Sequence, residues 1–139
     1  MKALTIWQPH AWAIIYAGKD IENRKWWPFK YRGPLLIHAG KRKDLEYIKN
    51  AFWDMDDLVT VLRPTPRALK FGGVIGRVEL VDVVQGHDSP WFEGKCGLVL
   101  ANPQALPFTP WRGAQGLFDI PEEALAVSTD GPLFERKDT

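Results

Sequence analysis

The apolar and polar positions of this chain change period several times, and each change marks an element. Lys2 to Ile6 is a short apolar run in which Thr5 and Ile6 favour a strand. Ala11, Trp12, Ile14 and Ile15 then recur at helical spacing between His10 and Ala17. Pro9 suits the first helical position, and Gly18 is a natural stop. Asp20 to Trp26 reads as a strand or extended arm ending at Trp27-Pro28. Tyr31-Arg32-Gly33-Pro34 is a turn, and Leu35 to Ala39 is continuously apolar, as in a central strand. Gly40 to Asp44 is a basic loop leading to a helix with Leu45, Ile48, Phe52 and Met55 on one face. Asp56 to Leu62 predicts a second short helix, closed by Arg63-Pro64-Thr65-Pro66.

Gly72 to Val84 carries the strongest strand pattern, and its glycines predict a bend or bulge of the kind that closes a barrel. A polar loop from Gln85 to Gly94 contains Trp91. Cys96 to Ala101 is a core strand turned at Asn102-Pro103, Ala105 to Thr109 pairs next, and Gly116 to Ile120 is the last strand. Many short strands, Gly/Pro turns and two or three helices predict an α+β fold: a small mixed barrel of about five to six strands with helices at its ends. Residues 1–121 read as a single domain, a length typical of one (about 100–150 residues). Residues 122–139 read as a partly irregular extension with a frayed end from Glu135 to Thr139.

Composition narrows the class. The apolar share (45%) and charged share (25%) are those of a soluble globular chain, but seven tryptophans are many for 139 residues. One cysteine, Cys96, excludes an intrachain disulfide and fits a reducing, cytoplasmic setting. The opening apolar run, broken at Gln8-Pro9, is too short for a signal peptide. No apolar stretch approaches the roughly 18–20 residues of a membrane helix. His10, His38 and His87 have no metal spacing with Cys96, so neither a metal nor another cofactor is expected.

Charge is uneven. The net is +1, yet between Lys19 and Lys49 nine basic residues face four acidic ones, and the balance from Asn50 onward is acidic. The densest mixture of charge and aromatic surface is Gly18 to Trp27, with Lys19, Glu22, Arg24 and Lys25 beside Trp26 and Trp27. Such a strip stacks on something flat and neutralises something negative. Strand parity places Glu22, Arg24 and Trp26 on one face, opposite the core residue Ile21, with Lys19 joining from the helix end. Arg24 and Lys19 suit phosphate or the Hoogsteen edge of guanine, and Glu22 suits an exocyclic amine. A structural Arg24–Glu22 pair remains the alternative. Lys41 and Arg42 suit backbone phosphates, His38 is either a core histidine or a ligand contact, and Trp12 belongs to the apolar helix stripe.

The same residues resemble a known family. Gln8-Pro9, Ala11, Lys19-x-x-Glu22-Asn23-Arg24-x-Trp26 and Arg32-Gly33-Pro34-Leu35-Leu36-Ile37-His38-Ala39 are similar to the activating signal cointegrator-1 homology (ASCH) domain. Gly73-x-x-Gly76-x-Val78-x-Leu80-x-Asp82, Asn102-Pro103 and Gln115-Gly116-Leu117-Phe118 follow in order, so the resemblance runs from about Lys2 to Ile120. It implies a PUA-like barrel with a cleft lined by the Lys-x-x-Glu-x-Arg motif, and a general role in binding RNA or other nucleic acid. Some relatives are acetylcytidine amidohydrolases using a lysine, a threonine and a glutamate, and ribonuclease activity occurs among others. This chain departs at Ala17, where the family has glycine, at His10, where it has an aromatic, and at Glu22, which matches the amidohydrolase threonine. Thr5 and Ser89 are the hydroxyls that folding would have to bring near.

The favoured expectation is therefore non-enzymatic binding of RNA or single-stranded nucleic acid. One base would enter a basic, tryptophan-lined cleft of Lys19, Glu22, Arg24, Trp26 and His38, with Lys41 and Arg42 along the backbone. The alternatives are a hydrolase acting on RNA or on a small nucleoside-like molecule, with Lys19 and Glu22 as acid and base, and a protein-interaction module.

Overall fold

The computed structural model describes residues 1–44 and 69–126. Six strands and one α-helix follow in the order β1 (Lys2–Gln8), α1 (His10–Tyr16), β2 (Ile21–Arg24), β3 (Gly33–Lys43), β4 (Gly73–Val84), β5 (Cys96–Pro110) and β6 (Leu117–Asp119). A 3-10 turn at Glu122–Ala124 closes the described chain. The strands form one mixed sheet in the order β2-β5-β4-β3-β1-β6, in which β1 and β3 run parallel and the other pairs antiparallel.

The continuous apolar run of β3 has a direct cause. The strand lies between β1 and β4 with both faces covered. Leu35, Ile37 and Ala39 point into the main core beside Leu4 and Ile6, whereas Leu36 points the other way, to Ala3, Val74 and Ile120. Helix α1 covers the main core with Ala11, Ile14 and Ile15. Burying an isoleucine fully contributes about 1.5–3 kcal/mol, so this seven-residue helix is held by its packed face and not by its length. Its approach is close: a Cβ at Gly76 would fall 2.6 Å from Ile15 Cδ1 and 2.7 Å from Gln104 O. Gln8 accepts from Trp12 N at 2.9 Å, which satisfies one of the free N–H groups opening the helix.

The sheet is open at its β2 and β6 edges, yet it curls. Arg24 Nη2 on β2 donates to Thr5 O on β1 at 3.1 Å, four strands away in sheet order. Register shifts along β4 and β5, between Val74/Gly76, Arg77/Glu79 and Leu80/Asp82, supply the bending expected of that glycine-containing strand.

Three expectations change. Gly40 to Lys43 is the end of β3 and not a loop, because it continues beside β1 as far as the Gln8–Lys43 pairing. Asn102-Pro103 does not turn the chain; Asn102 takes φ 54 inside a single fifteen-residue β5. Strand β2 stops at Arg24, before both tryptophans. The helices expected from Leu45 to Met55 and from Asp56 to Leu62, and the end from Glu135 to Thr139, lie outside the described residues. Among the described residues no helix is long and apolar enough to cross a membrane.

Candidate functional site

A cleft of about 680 Å³ opens where α1, β1, β2 and the loop before β5 meet. Lys19 lies in its wall because of the way α1 ends. Gly18, at φ +75, turns the chain as only glycine does readily, and Lys19 N donates back to Ala13 O at 3.1 Å. The Lys19 residue is only 5% exposed.

The ammonium sits in a chain of polar contacts. Lys19 Nζ is 2.7 Å from His10 Nδ1, and His10 Nε2 is 2.9 Å from Asp44 Oδ2. An ammonium has no lone pair, so Nδ1 accepts and the imidazole proton resides on Nε2, facing Asp44. Asp44 is anchored through its own N–H, which donates to Gln8 O at 2.7 Å. Burial pushes the Lys19 amine below its ordinary range; the charges of Glu22, Glu93 and Asp44 oppose that shift and Arg24 adds to it. Burial, and then the Lys19 charge, push His10 down, against the Asp44 hydrogen bond and the charges of Glu22 and Asp44. The imidazole is therefore held neutral between a cation and an anion.

Glu22 and Arg24 both line the cleft, two residues apart on β2. Glu22 Oε2 is 3.2 Å from Arg24 Nε, close enough for ion pairing but not aligned for a hydrogen bond. Arg24 therefore does two things at once, pairing with Glu22 and holding β2 to β1 through Thr5 O. Its guanidinium carbon also lies 6.0 Å from the ring centre of Trp27.

The aromatic surface of the cleft comes from Trp91 and Trp7. Lys19 Nζ is 5.7 Å from the Trp91 ring centre. Asn23 pins the Trp91 loop from both sides: Nδ2 donates to Trp91 O at 2.9 Å and Oδ1 accepts from Glu93 N at 2.8 Å. Trp7 is 46% exposed at the rim, with the Arg42 guanidinium carbon 5.4 Å from its ring centre.

The residues singled out in the sequence divide accordingly. Lys19, Glu22 and Arg24 converge on one cleft, and Arg42 reaches its rim over Trp7. Trp26 does not line it and is 75% exposed, because β2 ends two residues earlier and parity no longer governs it. His38 is buried, with Nε2 donating to Trp111 O at 2.6 Å and Nδ1 3.2 Å from Thr5 Oγ1. Together with Lys41 it lines a neighbouring pocket. Thr5 reaches the cleft wall, while Ser89 is tied to Asp20. His10, Asp44, Asn23 and Trp91 were not legible as one site, since Asp44 is 34 residues from His10 and Trp91 is 68 from Asn23. Among the described residues, no group of three or more His, Cys, Asp or Glu side chains is placed to hold a metal ion.

Comparison with known proteins gives this geometry its context. No curated protein sequence matches the chain. The crystal structure of ASCH from Zymomonas mobilis is similar to it at 17% identity, with a TM-score of 0.54 over 88% of this chain and 89% of that one. Two single-substitution mutants from the same organism give 18% identity and TM-scores of 0.52, covering 88% of this chain and 91% and 89% of theirs. The curled mixed sheet with α1 against its core is the PUA-like fold of these proteins. The model of the ASCH domain matches residues 4–120, which take in α1 and every strand except the first two residues of β1, and the chain belongs to the ASCH domain family.

Proposed function

We propose that this protein binds RNA, or another single-stranded nucleic acid, and that one base enters the cleft of Lys19, Glu22, Arg24 and Trp91. Membership of the ASCH family is consistent with RNA binding. The observation that carries the finer reading is the convergence of donors, an acceptor and an aromatic face in one recess. Lys19 and Arg24 donate, Glu22 accepts, and Trp91 offers a stacking surface, which together match the edge and face of a nucleobase. Arg42 and Lys25 add positive charge at the mouth, and the single cysteine fits a reducing, cytoplasmic setting. Titration with a labelled single-stranded RNA at low salt tests the reading. Binding that weakens at least tenfold in Arg24→Ala and Trp91→Ala supports it; wild-type affinity in both variants sinks it.

The Lys19–His10–Asp44 chain favours a second reading, a hydrolase acting on a modified nucleoside such as acetylcytidine, or on RNA. Burial lowers the Lys19 pKa, which enlarges the fraction present as free amine over that of an ordinary lysine, and that fraction can take a proton from water. Glu22 stabilises the ammonium that results, and His10 with Asp44 orients it. Incubation with acetylcytidine and with RNA separates the two readings. Turnover that disappears in Lys19→Ala and Glu22→Ala establishes the enzyme, whereas saturable binding without turnover leaves the binder.

A further inference from the structure

Beside the cleft lies a second recess of about 580 Å³, lined by His38, Lys41, Trp111 and Arg112 over a floor of glycines. Thr5 lines both, so the two recesses abut across one residue of β1. We infer that this second pocket holds a backbone phosphate of the strand whose base occupies the cleft, bound by Lys41 and Arg112. The inference rests on the base-binding reading of the first cleft and extends it by naming the neighbouring subsite.

Charge makes the first argument. The cleft mixes Lys19, Arg24 and Lys25 with Glu22, Asp44 and Glu93, a balanced set suited to a neutral base. The described lining of the second pocket contains two cations and no carboxylate. Both cations are exposed and present positive charge to an anion in solution. The arginine supplies a planar fork that matches a phosphate, and the lysine a point charge.

Shape makes the second. Gly40, Gly72 and Gly113 all line the pocket. A Cβ at Gly113 would lie 3.0 Å from Thr5 Oγ1 and 3.1 Å from His38 Cε1, and one at Gly40 would lie 2.9 Å from Thr5 Cγ2. Side chains there would collide with Thr5 and His38, so glycine lets the Gly113 segment and β3 pack closely against Thr5 and sets the shape of the floor. The wall is fixed before any ligand arrives. His38 Nε2 holds Trp111 O at 2.6 Å, Trp111 N donates to Gly72 O at 3.1 Å, and Ala114 N reaches Thr5 Oγ1 at 3.3 Å. The segment carrying Arg112 is thus tied to β1, β3 and the start of β4.

The test compares cytidine, its 5′- and 3′-monophosphates and a dinucleotide on wild type, Lys41→Ala, Arg112→Ala and the double variant, by tryptophan fluorescence. The expected result is that the dinucleotide binds wild type about tenfold or more tightly than cytidine, that the double variant loses this gain, and that cytidine affinity stays unchanged. The plot of log affinity for the dinucleotide against log salt should flatten in the double variant, because the lost contact is ionic. Preference for one monophosphate identifies the strand direction. A gain retained in the double variant overturns the pocket and leaves the base cleft standing. Phosphate-dependent binding through Lys41 and Arg112 with no binding of cytidine supports the pocket and removes the base cleft. Both side chains are exposed, and unchanged melting temperatures will show that the variants fold.

Discussion

The two recesses on either side of Thr5 use charge in opposite ways. In the Lys19 cleft the inner charges are buried or half-buried, and each stands against a counter-charge or a hydrogen-bonding group: Lys19 against His10 and Glu22, Arg24 against Glu22, His10 against Asp44. Burial makes an uncompensated charge expensive, and the compensation fixes where every donor and acceptor points. In the Lys41–Arg112 pocket the charges are exposed, of one sign and cheap to keep. A recess of the first kind discriminates by geometry, and one of the second kind attracts by field. The difference teaches that the cleft should resist salt and respond sharply to single substitutions, while the pocket should yield to salt and respond gradually.

The largest expected effect comes from Arg24, which belongs to both the cleft and the fold. Arg24→Ala should weaken single-stranded RNA binding and destabilise the protein by about 1–2 kcal/mol, since its 28% exposed side chain is partly screened. Chemical denaturation beside a binding titration reads both quantities, and a stability loss without a binding loss would make Arg24 purely architectural. Next comes the aromatic contrast. Trp91→Ala should cost about 1–3 kcal/mol of binding, as stacked bases do. Trp26→Ala, on an exposed ring outside the cleft, should change binding and stability by no more than about 0.5 kcal/mol. Equal losses in the two variants would erase the distinction between lined cleft and bare surface.

The smallest effect is one of pH. His10 is lowered from 6.5 and Lys19 from 10.5, so in the window beneath each ordinary value the unfolded chain binds more protons than the folded one. Stability should therefore rise with pH through both windows. The His10 contribution is fully present above 6.5 and is lost as pH falls towards the folded-state value. Denaturation midpoints measured from mildly acidic to neutral pH should climb in wild type and climb less in His10→Gln. An identical slope in the two proteins would show that the imidazole is not held neutral by its surroundings.

Where local physics decides, the sequence was sufficient. The apolar stripe of Ala11, Ile14 and Ile15 and the Gly18 stop define α1 and so the position of Lys19. The unbroken Leu35–Ala39 run announced a strand covered on both faces. Where pairing between distant segments decides, it was not. Gly40 to Lys43 is polar enough to read as a loop, but β1 extends it. Asn102-Pro103 carries a turn signature, but pairing with β4 on both sides carries the strand through it. The candidate site divides in the same way. Parity brought Glu22 and Arg24 together on one strand face, and the end of α1 at Gly18 brought Lys19 beside them. Asp44, Asn23 and Trp91 join only through tertiary hydrogen bonds that no spacing encodes.

Because Arg24 reaches across to Thr5 O from the cleft, any molecule that grips Arg24 also tightens the seam at which the curled sheet meets itself. Ligand that binds only the folded chain raises its stability by about 2.7 kcal/mol at a hundred times the dissociation constant. The fold is thereby its own detector. A panel of nucleosides, nucleotides and short oligomers, ranked only by how far each delays melting, would identify what this cleft accepts without any assumption about whether it binds or transforms them.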